Sequence, residues 1–134
     1  MTKKLKYELY GSDGKRIEAD VINTVAQPLN AFAAVDWNEQ FQVEIRHGAA
    51  GSLEWPAHMV LEDEQGNYLR IMPSASGLQG SLQLIETNLK FGFIRQIESE
   101  QIDFSEVNLE HSGRLISDFV LGNFHEIKKL ISKD

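Results

Sequence analysis

The strongest constraint on this chain lies near its C-terminal end. Leu115, Ile116, Phe119, Val120, Phe124, Ile127, Leu130 and Ile131 recur at the spacing of one helical face. Arg114, Asp118, Glu126, Lys129 and Lys133 fall elsewhere. The pattern predicts an amphipathic helix over about 113–132. Ser112 is placed to act as its N-cap, and Lys128, Lys129 and Lys133 suit the negative end of the helix dipole. Gly122 weakens the centre by roughly 1 kcal/mol relative to alanine. A helix with one apolar stripe needs a surface to cover, and the rest of the chain must supply it.

That surface reads as antiparallel β-sheet. Leu5, Tyr7 and Leu9 alternate with Lys4, Lys6 and Glu8. After Gly11-Ser12-Asp13-Gly14 the alternation resumes as Ile17, Ala19 and Val21. Alternation on both sides of an Asp-Gly turn predicts a hairpin near 5–21, with one apolar face buried and charges on the other. A second hairpin is expected near 58–72, with Gly66-Asn67 supplying the turn. Phe41, Val43 and Ile45 mark a further strand, ending at a loop over 48–51. Pro73 to Gly77 ends the second hairpin, and 77–80 reads as a loop. Residues 82–85 and 91–94 suggest two strands around Thr87-Asn88, and Ile102 and Phe104 suggest a short edge strand. Pro28 suits a helix start, and Leu29, Phe32, Ala33 and Trp37 share a face, so a short helix is expected near 28–35. The fold class is therefore α+β: a mostly antiparallel sheet covered by the C-terminal helix.

Composition bounds the function more than it defines it. The 134 residues include 42% apolar and 25% charged side chains, ordinary for a folded domain and too apolar for disorder. One domain spanning 1–134 is expected, with no repeat and no linker. No cysteine is present, so disulfides and thiolate chemistry are excluded. No apolar run reaches the length of a membrane helix, and Lys6 and Glu8 interrupt any signal-like start. A cytoplasmic location and no membrane partner are the expectation.

The net charge is −7, with 20 acids against 13 Lys and Arg. It is unevenly placed. Residues 17–110 hold 15 acids against four bases, a balance of −11, between mildly basic ends. Glu98, Glu100, Asp103, Glu106 and Glu110 fall in a stretch without Lys or Arg, and Glu62-Asp63-Glu64 forms a second focus. Such a field repels nucleic acid and attracts basic proteins.

Catalytic motifs fail on spacing. Gly11 to Arg16 has two residues between its glycines where a phosphate loop needs four, and Arg16 stands where Ser or Thr belongs. The four histidines, His47, His58, His111 and His125, show no i, i+4 pair. Counting from Asp63, the sixth position of a calcium loop would be Tyr68 instead of glycine. Met72 stands two residues before Ser74, so no nucleophile elbow forms there. Trp37 and Trp55 sit in polar surroundings, where a tryptophan serves as a core plug or an interface anchor.

The resulting expectation is an acidic protein-binding module of the inhibitor or immunity type, neutralising a toxin or nuclease by covering its basic surface. The expected contact residues are Glu98, Glu100, Asp103, Glu106 and Glu110, then Glu62, Asp63, Glu64 and Trp55, with no cofactor, metal or catalytic residue. A dimeric chaperone or adaptor for a secreted or assembled protein is the first alternative. A carboxylate- or histidine-based enzyme is the second.

Overall fold

Two rows of side chains crossing an antiparallel sheet organise the molecule. The computed structural model describes residues 4–11, 16–37, 57–74, 77–90, 92 and 94–132. The elements run β1 (Leu5–Tyr10), β2 (Arg16–Ile22), α1 (Ala26–Ala34), β3 (His58–Asp63), β4 (Tyr68–Ser74), β5 (Gly77–Lys90) and β6 (Ile94–Val107). A 3-10 turn (Leu109–His111) then leads into α2 (Ser112–Leu121) and α3 (Phe124–Ile131). The strands form one sheet in the order β2-β1-β3-β4-β5-β6, every pairing antiparallel.

The register aligns Tyr7, Leu61, Leu69, Leu82 and Ile102 in one row. Leu9, Met59, Ile71, Gly80 and Phe104 form the next. Directly opposed residues share a face, so both rows point to one side. There they pack with Phe32, Leu115, Ile116, Phe119, Ile127, Leu130 and Ile131 from the helices. Leu61, Leu69, Leu82, Leu115, Ile116 and Ile127 are fully buried. The sheet thus has one helix-covered face and one open face. Gly80 belongs in its row because a Cβ there would lie 1.9 Å from the Arg70 carbonyl oxygen.

The expected α+β class and the hairpin at 58–72 are present, as is the helix near 28–35. Trp37 packs against the core, its indole N–H donating to the Phe32 carbonyl at 2.9 Å. The strand expected around Phe41, the loop at 48–51 and Trp55 lie outside the described residues.

Several expectations are corrected. The C-terminal helix is two helices. Gly122 adopts a left-handed conformation at φ 77°, and the Asn123 amide donates to the Asp118 carbonyl at 2.7 Å, closing α2 in a Schellman-type cap. The stripe continues into α3 because the bend keeps Ile127, Leu130 and Ile131 on the sheet. Ser112 begins α2 without capping it; the N-cap position is His111, at the end of the 3-10 turn. Thr87-Asn88 is not a turn: β5 continues to Lys90, paired with Ile94. Thr favours strands, so the Thr-Asn pair fits a strand as readily as a turn; of the strand expected at 91–94, Ile94 opens β6, while Phe91 and Phe93 lie outside the described residues. The acidic stretch is no short strand: β6 spans 14 residues. Residues 77–80 open β5 instead of forming a loop.

The first hairpin holds the largest correction. Tyr7 pairs with Asp20 and Leu9 with Glu18, while Val21 pairs with Lys6 and Ala19 with Glu8. The apolar alternation of β2 therefore lies on the open face, opposite that of β1. A one-residue change of register inverts every side chain, and β2 is an edge strand on which Ile22 alone is buried. Burial exerts little hold on its register.

Candidate protein-binding surfaces

Strand geometry divides the acidic residues of β6. Glu100 pairs with Leu84 and Glu98 with Glu86, which places both on the helix side of the sheet. There the Lys128 ammonium, from α3, lies 2.6 Å from the Glu100 carboxylate. Asp103 pairs with Ser81 on the open face and accepts a hydrogen bond from the Gln101 side chain at 3.2 Å. Glu106 sits at an irregularity between the Leu78–Val107 and Gly80–Phe104 pairs, with φ 58°. Glu110 lies in the 3-10 turn, where its amide donates to the Asn108 side chain at 3.0 Å. All five are exposed along one rim of the sheet, and they do not converge on a single patch.

The second acidic focus has three separate roles. Glu62 is on the open face, 3.2 Å from the Lys6 ammonium. Asp63 is buried and organises the β3–β4 turn, accepting from the Gln65 and Asn67 amides at 2.9 and 3.0 Å and from the Asn67 side chain at 2.8 Å. Asn67 in turn accepts from the Ile85 amide at 2.6 Å, which ties the turn to β5. Glu64 is exposed at the tip. A polar residue used so fully inside the fold is poorly placed to bind a partner.

The open face is largely neutralised from within. Arg16 lies 3.8 Å from Glu8, and the Tyr10 hydroxyl donates to the same carboxylate. That contact raises the Tyr10 pKa above its ordinary value. Tyr10 also stacks on His58 at 4.9 Å between ring centroids.

The surface that sequence reasoning missed lies at the other rim. Six of the seven residues of β2 are exposed, and no described strand pairs with its outer edge. On the open side Ile17 and Val21 are 55% and 54% exposed. On the helix side stand Glu18 and Asp20. The Tyr7 hydroxyl donates to Glu18. Burial, followed by the Glu18 carboxylate and then the Asp20 charge, pushes the Tyr7 pKa up to about 12.

Beyond the end of β2 lies a cleft of about 650 Å³. Leu5, Val21, Ile22, Phe119, Leu121 and Phe124 give it an apolar lining, with Lys4 beside them. Leu121 is 62% exposed. The cleft is built from the end of the first hairpin and the α2–α3 bend, segments about a hundred residues apart in sequence. A smaller cavity of about 370 Å³ is lined by Leu84, Glu98, Ser99, Glu100 and Lys128. No group of three or more metal-ligating side chains occurs among the described residues, and no described helix is long and apolar enough to cross a membrane.

Comparison with protein-family models, curated proteins and solved structures finds no match.

Proposed function

We propose that the protein is an acidic binding module that covers a basic surface on a partner protein, in the manner of an inhibitor or immunity protein. The observation that carries this reading is the charge of residues 17–110, 15 acids against four bases, together with the exposure of its acids on the outer strands of the sheet. The open face cancels much of its charge through Lys6–Glu62 and Arg16–Glu8. The rims retain theirs: Glu98, Asp103, Glu106 and Glu110 on one side, Glu18 and Asp20 on the other. Unpaired charges at a rim act mainly on association rate and choice of partner.

The test is association kinetics with a partner recovered from the native cell. Replacing Glu98, Asp103 and Glu106 together by lysine is expected to slow association by roughly tenfold at low salt, with a smaller effect at high salt. A recovered partner without a cationic face, or binding indifferent to salt, would overturn the reading.

A further inference from the structure

We infer that the outer edge of β2 is a strand-addition site for an extended segment whose residues alternate basic and apolar, with a large apolar residue seated in the adjoining cleft. This rests on the basic-partner reading above and adds to it a site on the rim opposite the β6 acids.

Both rims of the sheet carry features that blunt an edge: acids on the helix side, Glu98 and Glu100 on β6 and Glu18 and Asp20 on β2, and a register irregularity, near Glu106 on β6 and at Ile17 on β2. They differ in what adjoins them: Glu100 is held by Lys128, whereas β2, with no described strand on its outer edge, carries the exposed Ile17 and Val21 and leads into the apolar cleft. Peptides that extend a sheet take affinity from main-chain hydrogen bonds and specificity from pockets for alternate side chains. On β2 the Val21 amide donates to the Asp20 carboxylate at 2.7 Å and the Val21 carbonyl accepts from the Gln27 side chain at 3.2 Å, so an added strand would displace these contacts there, while the cleft supplies the pocket. Apolar residues of the added strand would pack on Ile17 and Val21. Basic residues on its other side would meet Glu18 and Asp20. Val21 and Ile22 continue into the cleft lined by Phe119, Leu121 and Phe124, where a large side chain at the end of the strand would be held.

A second copy of the chain fits poorly in the registers that pair the most residues of β2. An antiparallel pairing of β2 with itself keeps like faces together. Centred on Glu18, Ala19 or Asp20, it sets an acid directly opposite an acid, which is destabilising. A strand with lysine or arginine at those positions replaces that repulsion by attraction.

The probe is a synthetic peptide as long as β2, alternating lysine and valine and ending in leucine, tested against the full chain by fluorescence anisotropy. Binding is expected, weakening with salt. Asp20→Lys and Leu121→Asp, both at exposed positions, are each expected to weaken it by about tenfold. The Glu98→Lys/Asp103→Lys variant is expected to leave it unchanged. Two N-methylated versions of the peptide, blocked at odd or at even residues, separate strand addition from charge attraction: one should lose binding and the other keep it. Equal effects of both versions, or unchanged binding by Asp20→Lys and Leu121→Asp, overturn the proposal. Binding lost only in the β6 variant overturns it while sparing the basic-partner reading. No binding of the peptide at all, or dimerisation through β2 in sedimentation, overturns it as well.

Discussion

The Tyr7 hydroxyl donates to the Glu18 carboxylate across the β1–β2 hairpin, joining a buried aromatic ring to an exposed edge. This contact couples the core to the rim on which the strand-addition site is placed. Ionising Tyr7 would set a phenolate beside Glu18 and Asp20 in a buried position, so the fold favours the neutral phenol.

The pH dependence of stability follows from that preference. The fold pushes the Tyr7 pKa up from its ordinary value of 10.0 to about 12. Its contribution is therefore fully present below pH 10 and is lost as the pH rises through about 12. Urea unfolding across this window should show a decline, and Tyr7→Phe should remove much of it. Ultraviolet titration of the three tyrosines should show Tyr7 ionising late, with Tyr10 also above its ordinary value. A Tyr7→Phe profile as steep as that of the parent protein would refute the assignment.

Asp63 supplies a structural prediction from within the acidic focus. Its carboxylate holds two amides and the Asn67 side chain, and Asn67 holds the Ile85 amide. Asp63→Ala leaves these donors without their acceptor in a buried turn. A loss of about 3 kcal/mol is expected, with faster hydrogen exchange at Gln65 and Asn67. Glu64→Ala, one residue along at an exposed position, should change stability by less than about 0.5 kcal/mol. Similar costs for the two would show that Asp63 does not organise the turn.

These neighbours also show what was legible in the chain. The helical face from Leu115 to Ile131 could be read directly, because a 3.6-residue period survives the bend at Gly122. The β1 alternation was legible because Tyr7 and Leu9 face the core. On β2 the same kind of alternation misled, since Ile17 and Val21 face outward and the pairing with β1, not burial, sets their side. The division of the β6 acids was latent in parity: Glu98 and Glu100 occupy even positions and Asp103 an odd one, and a strand sends these to opposite faces. It shows only when β6 is one long strand, because parity carries across all 14 residues. Nothing local marks the cleft, because Leu5, Val21 and Phe119 meet only in the tertiary fold.

Two glycines should respond differently to one substitution. At Gly122 nothing lies within 4 Å of a built Cβ, so Gly122→Ala meets only the strain of a left-handed backbone. About 1 kcal/mol is expected. At Gly80 the added methyl would lie 1.9 Å from the Arg70 carbonyl oxygen and 3.1 Å from the Phe104 ring. Gly80→Ala must push β4 and β5 apart and should cost about 3 kcal/mol or more. Denaturant midpoints of the two variants rank the effects, and the reverse order would contradict the packing of Gly80 against β4.

An ion pair between Lys128 and Glu100 links α3 to β6. Its atoms lie 2.6 Å apart, yet the side chains are 36% and 54% exposed. Water and salt screen such a pair, and holding two long side chains together costs entropy. A double-mutant cycle with Lys128→Met and Glu100→Gln should therefore give a coupling of only about 0.5 kcal/mol, falling as salt is raised. The docking of α3 rests on Ile127, Leu130 and Ile131, which are buried in the core. Ile127→Ala should cost about 3 kcal/mol by leaving a cavity. A coupling of several kcal/mol, together with a small effect at Ile127, would mean that charge and not burial fixes α3 to the sheet.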